Sequence, residues 1–151
     1  MAKKRKNTPH HTAAEFGLDP LANDDDLFRW FLLAYMFGKP IQSAVAARTW
    51  RMFIDHQLDT PWAIASASNN KLVSLLHQGG YTRYQHVMAR SLHLCMTQLI
   101  EKYDGSLSYV LSICETEDEF AKQLQKFHGI GPKTAEIFMR ETEEIFARRI
   151  E

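Results

Sequence analysis

Apolar residues recur along this chain at intervals of three and four, and Gly, Pro, Ser, Thr and Asp repeatedly interrupt them. That period marks helices with one buried face. Leu27, Phe28, Phe31, Leu32 and Tyr35 define the first, and Asp24–Asp26 put acid in its first turn, where the helix dipole favours it. Gly38-Lys39-Pro40 ends that helix. Ile41, Val45, Ala46, Thr49 and Phe53 share a face of the second, with Arg48 and Arg51 elsewhere. Thr60-Pro61 reads as the cap and first position of a short helix through Ala65. Ser68–Gln78 follows, closed by Gly79-Gly80. The spacing then predicts a long helix over Thr82–Tyr103, with Val87, Leu94 and Ile100 buried, stopped by Asp104-Gly105. Ser106–Ile113 is short. Thr116 and Glu119 are spaced as a capping box for a helix running through Phe120 and Leu124 to Phe127. Thr134–Ile150 holds neither Gly nor Pro and reads as one helix. No run alternates with period two, so no strand is expected. The prediction is an all-α fold, a barrel or bundle of about six to eight helices, with Trp30, Trp50 and Trp62 in its core.

Residues 1–22 are polar and aperiodic and read as a flexible tail; residues 23–151 read as a single domain. The chain has 151 residues, 45% hydrophobic and 24% charged, an ordinary globular composition. Its longest apolar run, Trp30–Phe37, is too short to span a bilayer, and no apolar stretch follows the basic start as a signal peptide requires. Cys95 and Cys114 form no CxxC pair, so no metal site and no cofactor are expected, and a reducing cytoplasm is the simplest home for them. Net charge is zero, but it is unevenly spread. Residues 29–103 carry eight Lys/Arg against three Asp/Glu, whereas residues 104–151 carry six against ten. A basic middle can face phosphate or simply be a solvated surface. Lys3–Lys6 reads first as a solubilising terminus, with a DNA arm or a localisation signal as the alternatives.

The most restrictive string is Phe127-His128-Gly129-Ile130-Gly131-Pro132-Lys133-Thr134-Ala135. One helix ends near Phe127, and Gly129 and Gly131 permit a tight turn and close backbone approach. Ile130 can tuck inward, and Pro132 suits the first position of a second helix whose free N–H groups then point outward. A helix N-terminus behind glycines is an anion site, and Lys133 adds a charge to it. A phosphate is the natural ligand. His128, Gly129, Ile130, Gly131, Lys133 and Thr134 are therefore candidate DNA contacts. Lys39, after the first helix, and Tyr81 and Arg83, after the Gly-Gly turn, join them as cations and a stacking ring, although Tyr81 can equally pack beneath its turn. His86 and His93 lack the spacing and further ligands of a metal site.

The hairpin string resembles that of the helix-hairpin-helix DNA glycosylases of the endonuclease III superfamily. The order of elements upstream is similar too: Leu27–Phe37, Ile41–Phe53, and Ser68–Tyr103 with its Gly79-Gly80-Tyr81 turn. The resemblance covers roughly residues 24–147. It implies a six-helix barrel with a cleft for double-stranded DNA, abasic or damaged, and a place in DNA repair. It also implies a role for Lys133, which matches the lysine that attacks the sugar C1′ of an extruded nucleotide in bifunctional members. Other features depart from the family. The essential aspartate beyond the hairpin helix has no counterpart in a Gly/Pro loop; Glu151 stands at a comparable distance but ends the chain. The four-cysteine iron–sulfur module is absent. Of the positions that fill the hole left by an extruded base, Lys39 could reach phosphate or base, while Gly80 offers no wedge. Three readings stay open: an abasic-site lyase or glycosylase using Lys133, a non-catalytic DNA-binding or protein-interaction module, and a site completed by a partner chain.

Overall fold

A computed structural model describes residues 11–150, and they form nine α-helices and no strand. α1 is Asp24–Phe37, α2 Ser43–Asp55, α3 Pro61–Ser66, α4 Asn69–Gly79, α5 Gln85–Tyr103, α6 Leu107–Ser112, α7 Glu117–Leu124, α8 Pro132–Met139 and α9 Glu143–Ile150. α1 is the axle. Every residue from Trp30 to Phe37 is buried, as is Leu27–Phe28 before them, so it is apolar all round, as a helix enclosed by others must be. α2, α6 and α8 pack around it, α4 bridges α2 and α5, and α3 lies against α5. α7 packs on α8. The all-α prediction holds.

Local chemistry starts most of these helices. Asn23, Thr60, Ser68 and Ser106 each accept from a backbone N–H in the first turn, and Thr116 and Glu119 form the full capping box. Asp104, in the left-handed region, closes α5. α5 itself begins at Gln85, after a turn at 82–84, rather than at Thr82.

The structure departs from the sequence reading at several places. The long helix over Thr134–Ile150 is two helices with a corner at Arg140–Thr142. The indole Nε1–H of Trp30 donates to Phe138 O at 3.1 Å, occupying the carbonyl that Thr142 N–H would meet in a continuing helix. Thr142 N–H turns to Met139 O instead, at 3.1 Å. α9 then folds back, with Phe146 buried against Phe120 and the Arg149 guanidinium donating to Cys114 O and Leu111 O. Part of the expected tail is also folded. Thr12 caps a 3-10 turn at Ala13–Phe16, Ala13 is fully buried, and its N–H donates to the Glu141 carboxylate at 3.1 Å. Lys3–Lys6 and Glu151 lie outside the described residues. Val87 and Leu94 are exposed, and the buried face of α5 is Met88, Ala89, Leu92, Cys95, Met96 and Leu99. Trp62 is half-exposed, its ring lying against Gly105, whereas Trp30 and Trp50 are buried.

Candidate nucleic-acid interface

The hairpin is anchored from beneath by its apolar residues. Phe127, Ile130, Ile137 and Phe138 are buried, and Phe31 of α1 meets Phe138 edge-on at 5.3 Å and Phe127 at 6.4 Å. Ile130 thus faces inward, which makes it an anchor and leaves its side chain no route to a ligand.

The turn's polar backbone is tied down residue by residue. Gln98 on α5 accepts from His128 N–H at 2.6 Å, the Tyr35 hydroxyl donates to His128 O at 3.1 Å, and Lys39 Nζ donates to Gly129 O at 2.6 Å. Burial raises the Tyr35 phenol above the ordinary tyrosine range, so it remains a donor. Gly129 has φ +84°, and a Cβ there would overlap the Tyr35 hydroxyl and crowd Ser91 Oγ. It is the glycine that the turn demands. Gly131 differs: its backbone is extended at φ −103°, ψ −173°, and a Cβ there would meet nothing within 4 Å. The need at Gly131 is open space, not backbone freedom.

That space lies in front of the α8 N-terminus. Gly131 caps the helix with no side chain, Pro132 has no N–H, and Lys133 and Thr134 therefore present first-turn N–H groups with no side-chain acceptor. Lys133 and His128 are exposed beside them, and among the described residues Lys133 makes no ion pair within 4.0 Å. The Thr134 side chain is buried where Gly38 closes on it, so only its backbone can serve a ligand. Such an arrangement can receive an oxyanion.

The remaining expected contacts separate. Arg83 is exposed on the turn between α4 and α5. Tyr81 is buried, with its hydroxyl donating to Met36 O at 3.4 Å, so it packs under that turn and cannot stack on a base. Lys39 is half-buried, with Nζ 4.3 Å from the centre of the Tyr35 ring, and its ammonium is already engaged. Burial lowers its pKa from the ordinary lysine value. Lys39 also lines a pocket of about 170 Å³ with Ile41, Tyr84, Val87, Met88 and Ser91. Tyr35, Ser91 and Gln98 were invisible as site residues in the sequence, because nothing in their spacing says that α1 and α5 meet the hairpin. No group of three or more His, Cys, Asp or Glu among the described residues could hold a metal ion, and no described helix is long and apolar enough to cross a membrane.

Among the described residues, nine α-helices and the hairpin between α7 and α8 make up the fold, and a solved protein resembles it. The chain superposes on a structure of a non-covalent endonuclease III–DNA complex with a TM-score of 0.55 over 89% of its residues, at 21% sequence identity. It spans about half of that protein, 52% of the chain. The likeness is one of fold. No protein-family model matches the sequence, and no curated protein does.

Proposed function

We propose that this chain binds double-stranded DNA through the 127–133 hairpin and acts in DNA repair, on a nucleoid in the cytoplasm. The observation that carries this is the uncapped α8 N-terminus, open in front of Gly131 and flanked by Lys133 and His128. A DNA phosphate fits there: it accepts from the Lys133 and Thr134 N–H groups, and the Lys133 ammonium neutralises it. The shared fold supports the reading, since the neighbour was solved with DNA. Arg83 lies on an exposed turn of the basic middle segment and can meet a second phosphate. The logarithm of the affinity for duplex DNA should then fall linearly with the logarithm of salt concentration, with a slope near −0.9 for each phosphate neutralised. Binding indifferent to salt, or no binding at low ionic strength, would overturn the proposal.

A second reading is lyase activity on abasic sites, and the freedom of Lys133 from any carboxylate among the described residues favours it. Its amine would condense with the aldehyde of an opened abasic sugar, releasing water and forming an imine. Loss of a C2′ proton would then expel the 3′ phosphate and break the strand. This chemistry places less demand on an aspartate than cleavage of an intact glycosidic bond, because the base has already gone.

A further inference from the structure

The two hairpin carbonyls that point into the protein are each met by a side chain from α1 or from the residues directly after it. Tyr35, fully buried, donates to His128 O. Lys39, two residues beyond the end of α1, donates to Gly129 O at 2.6 Å, with its charge 4.3 Å from the Tyr35 ring centre. A peptide unit presents its C=O and its N–H on opposite sides. Fixing the Gly129 carbonyl inward therefore fixes the plane of the Gly129–Ile130 peptide, whose N–H closes the turn on Phe127 O at 3.2 Å, and with it the point from which the chain runs through Gly131 into the open first turn of α8. The same residue brings a positive charge behind amides that must receive an anion.

Lys39 has the properties that this task needs. Its ammonium is held between a carbonyl and an aromatic face, so little conformational freedom remains to be lost on binding. Gly38, immediately before it, closes on Thr134 in the first turn of α8, which fixes the lysine's backbone against the helix it supports. A charge-assisted hydrogen bond of this length is of the stronger kind.

We infer that Lys39 is a positioning residue of the hairpin: from inside the protein it holds the Gly129 carbonyl, and so sets the phosphate-receiving amides without touching DNA itself. The inference rests on the proposed DNA binding, and it separates Lys39 from Lys133, which would meet phosphate directly. The distinction is measurable, because a residue that neutralises a phosphate contributes to the salt slope and a positioning residue does not.

The experiment compares the unsubstituted protein, Lys39→Met and Lys133→Gln on one duplex across a salt series. Lys39→Met keeps the aliphatic stem and removes the donor and charge. It should weaken binding about tenfold, as expected when the receptive turn becomes a minor population, with the salt slope unchanged. Lys133→Gln should weaken binding with a slope shallower by about 0.9. In DNA-free Lys39→Met, the amide resonances of Gly129, Ile130, Gly131, Lys133 and Thr134 should shift while those of α9 stay in place. Unchanged affinity, unmoved hairpin amides, or a slope shallower by about 0.9 would each overturn the inference. If the unsubstituted protein fails to bind DNA, the functional proposal fails, and the DNA-free amide spectra still decide what Lys39 holds. Should Lys39→Met not fold, side-chain nitrogen spectra of the unsubstituted protein serve instead. The Lys39 ammonium should be protected from exchange and unmoved by added duplex; a large shift on DNA addition would contradict the positioning role.

Discussion

Alanine at Gly129 adds one methyl group at the point where the hairpin passes over α1. Its φ of +84° lies in the left-handed region, where a residue with a Cβ is strained by about 1–2 kcal/mol. The new carbon would also overlap the Tyr35 hydroxyl and stand too close to Ser91 Oγ. Tyr35 is fully buried and cannot swing into solvent, so the hydroxyl must move off His128 O and leave that carbonyl under-satisfied, about 1–3 kcal/mol more. Gly129→Ala should therefore lose about 2–5 kcal/mol in a urea unfolding curve, a large share of the 5–15 kcal/mol typical of a domain. Gly131→Ala is its control. Gly131 is extended at φ −103° with nothing near the added methyl, so stability should change by less than about 1 kcal/mol. The same methyl stands in the space that the proposal assigns to a phosphate, so duplex affinity should fall although the fold is intact. Equal stabilities for the two variants, or a Gly131→Ala protein that binds as well as the original, would refute the division of labour between the glycines.

Ile130→Ala should cost about 2–4 kcal/mol in the same unfolding assay, as for other buried large-to-small changes. If Lys133 is a nucleophile, borohydride added during incubation with abasic DNA should trap a covalent adduct that Lys133→Gln abolishes, while an adduct surviving that change would indicate another amine. Burial pushes the Cys95 thiol up to about 12, so it is protonated at neutral and mildly alkaline pH. Iodoacetamide at pH 8 should therefore leave Cys95 unmodified until denaturant is added, and rapid labelling of the folded protein would contradict its packing.

Much of this architecture can be read locally. Asn23, Thr60, Ser68, Ser106 and Thr116 mark helix starts because capping is settled within four residues. The hairpin is legible for the same reason, down to the inward turn of Ile130. What stayed hidden depends on partners distant in the chain. The corner between α8 and α9 carries neither Gly nor Pro; what marks it is the Trp30 indole, 108 residues away, donating to the Phe138 carbonyl. On α5, apolar residues occupy more than one stripe, and the packing of α3 and α4 decides that Met88 and Leu92 turn inward while Val87 and Leu94 do not. Trp62 has the size of a core residue but sits at the second position of a six-residue helix, against Gly105, where its ring stays half in water. At the site, Gly129 and Gly131 look alike in the sequence, and only the positions of Tyr35 and Ser91 tell which one is sterically obligatory.

The measurement closest to the central claim is a titration of the ¹⁵N-labelled protein with a short duplex, followed at the backbone amides. If the open N-terminus of α8 receives a DNA phosphate, the Gly131, Lys133 and Thr134 resonances should shift most and in proportion to one another, with salt reversing the change. Shifts concentrated on α6 and α9, with those three amides unmoved, would contradict it.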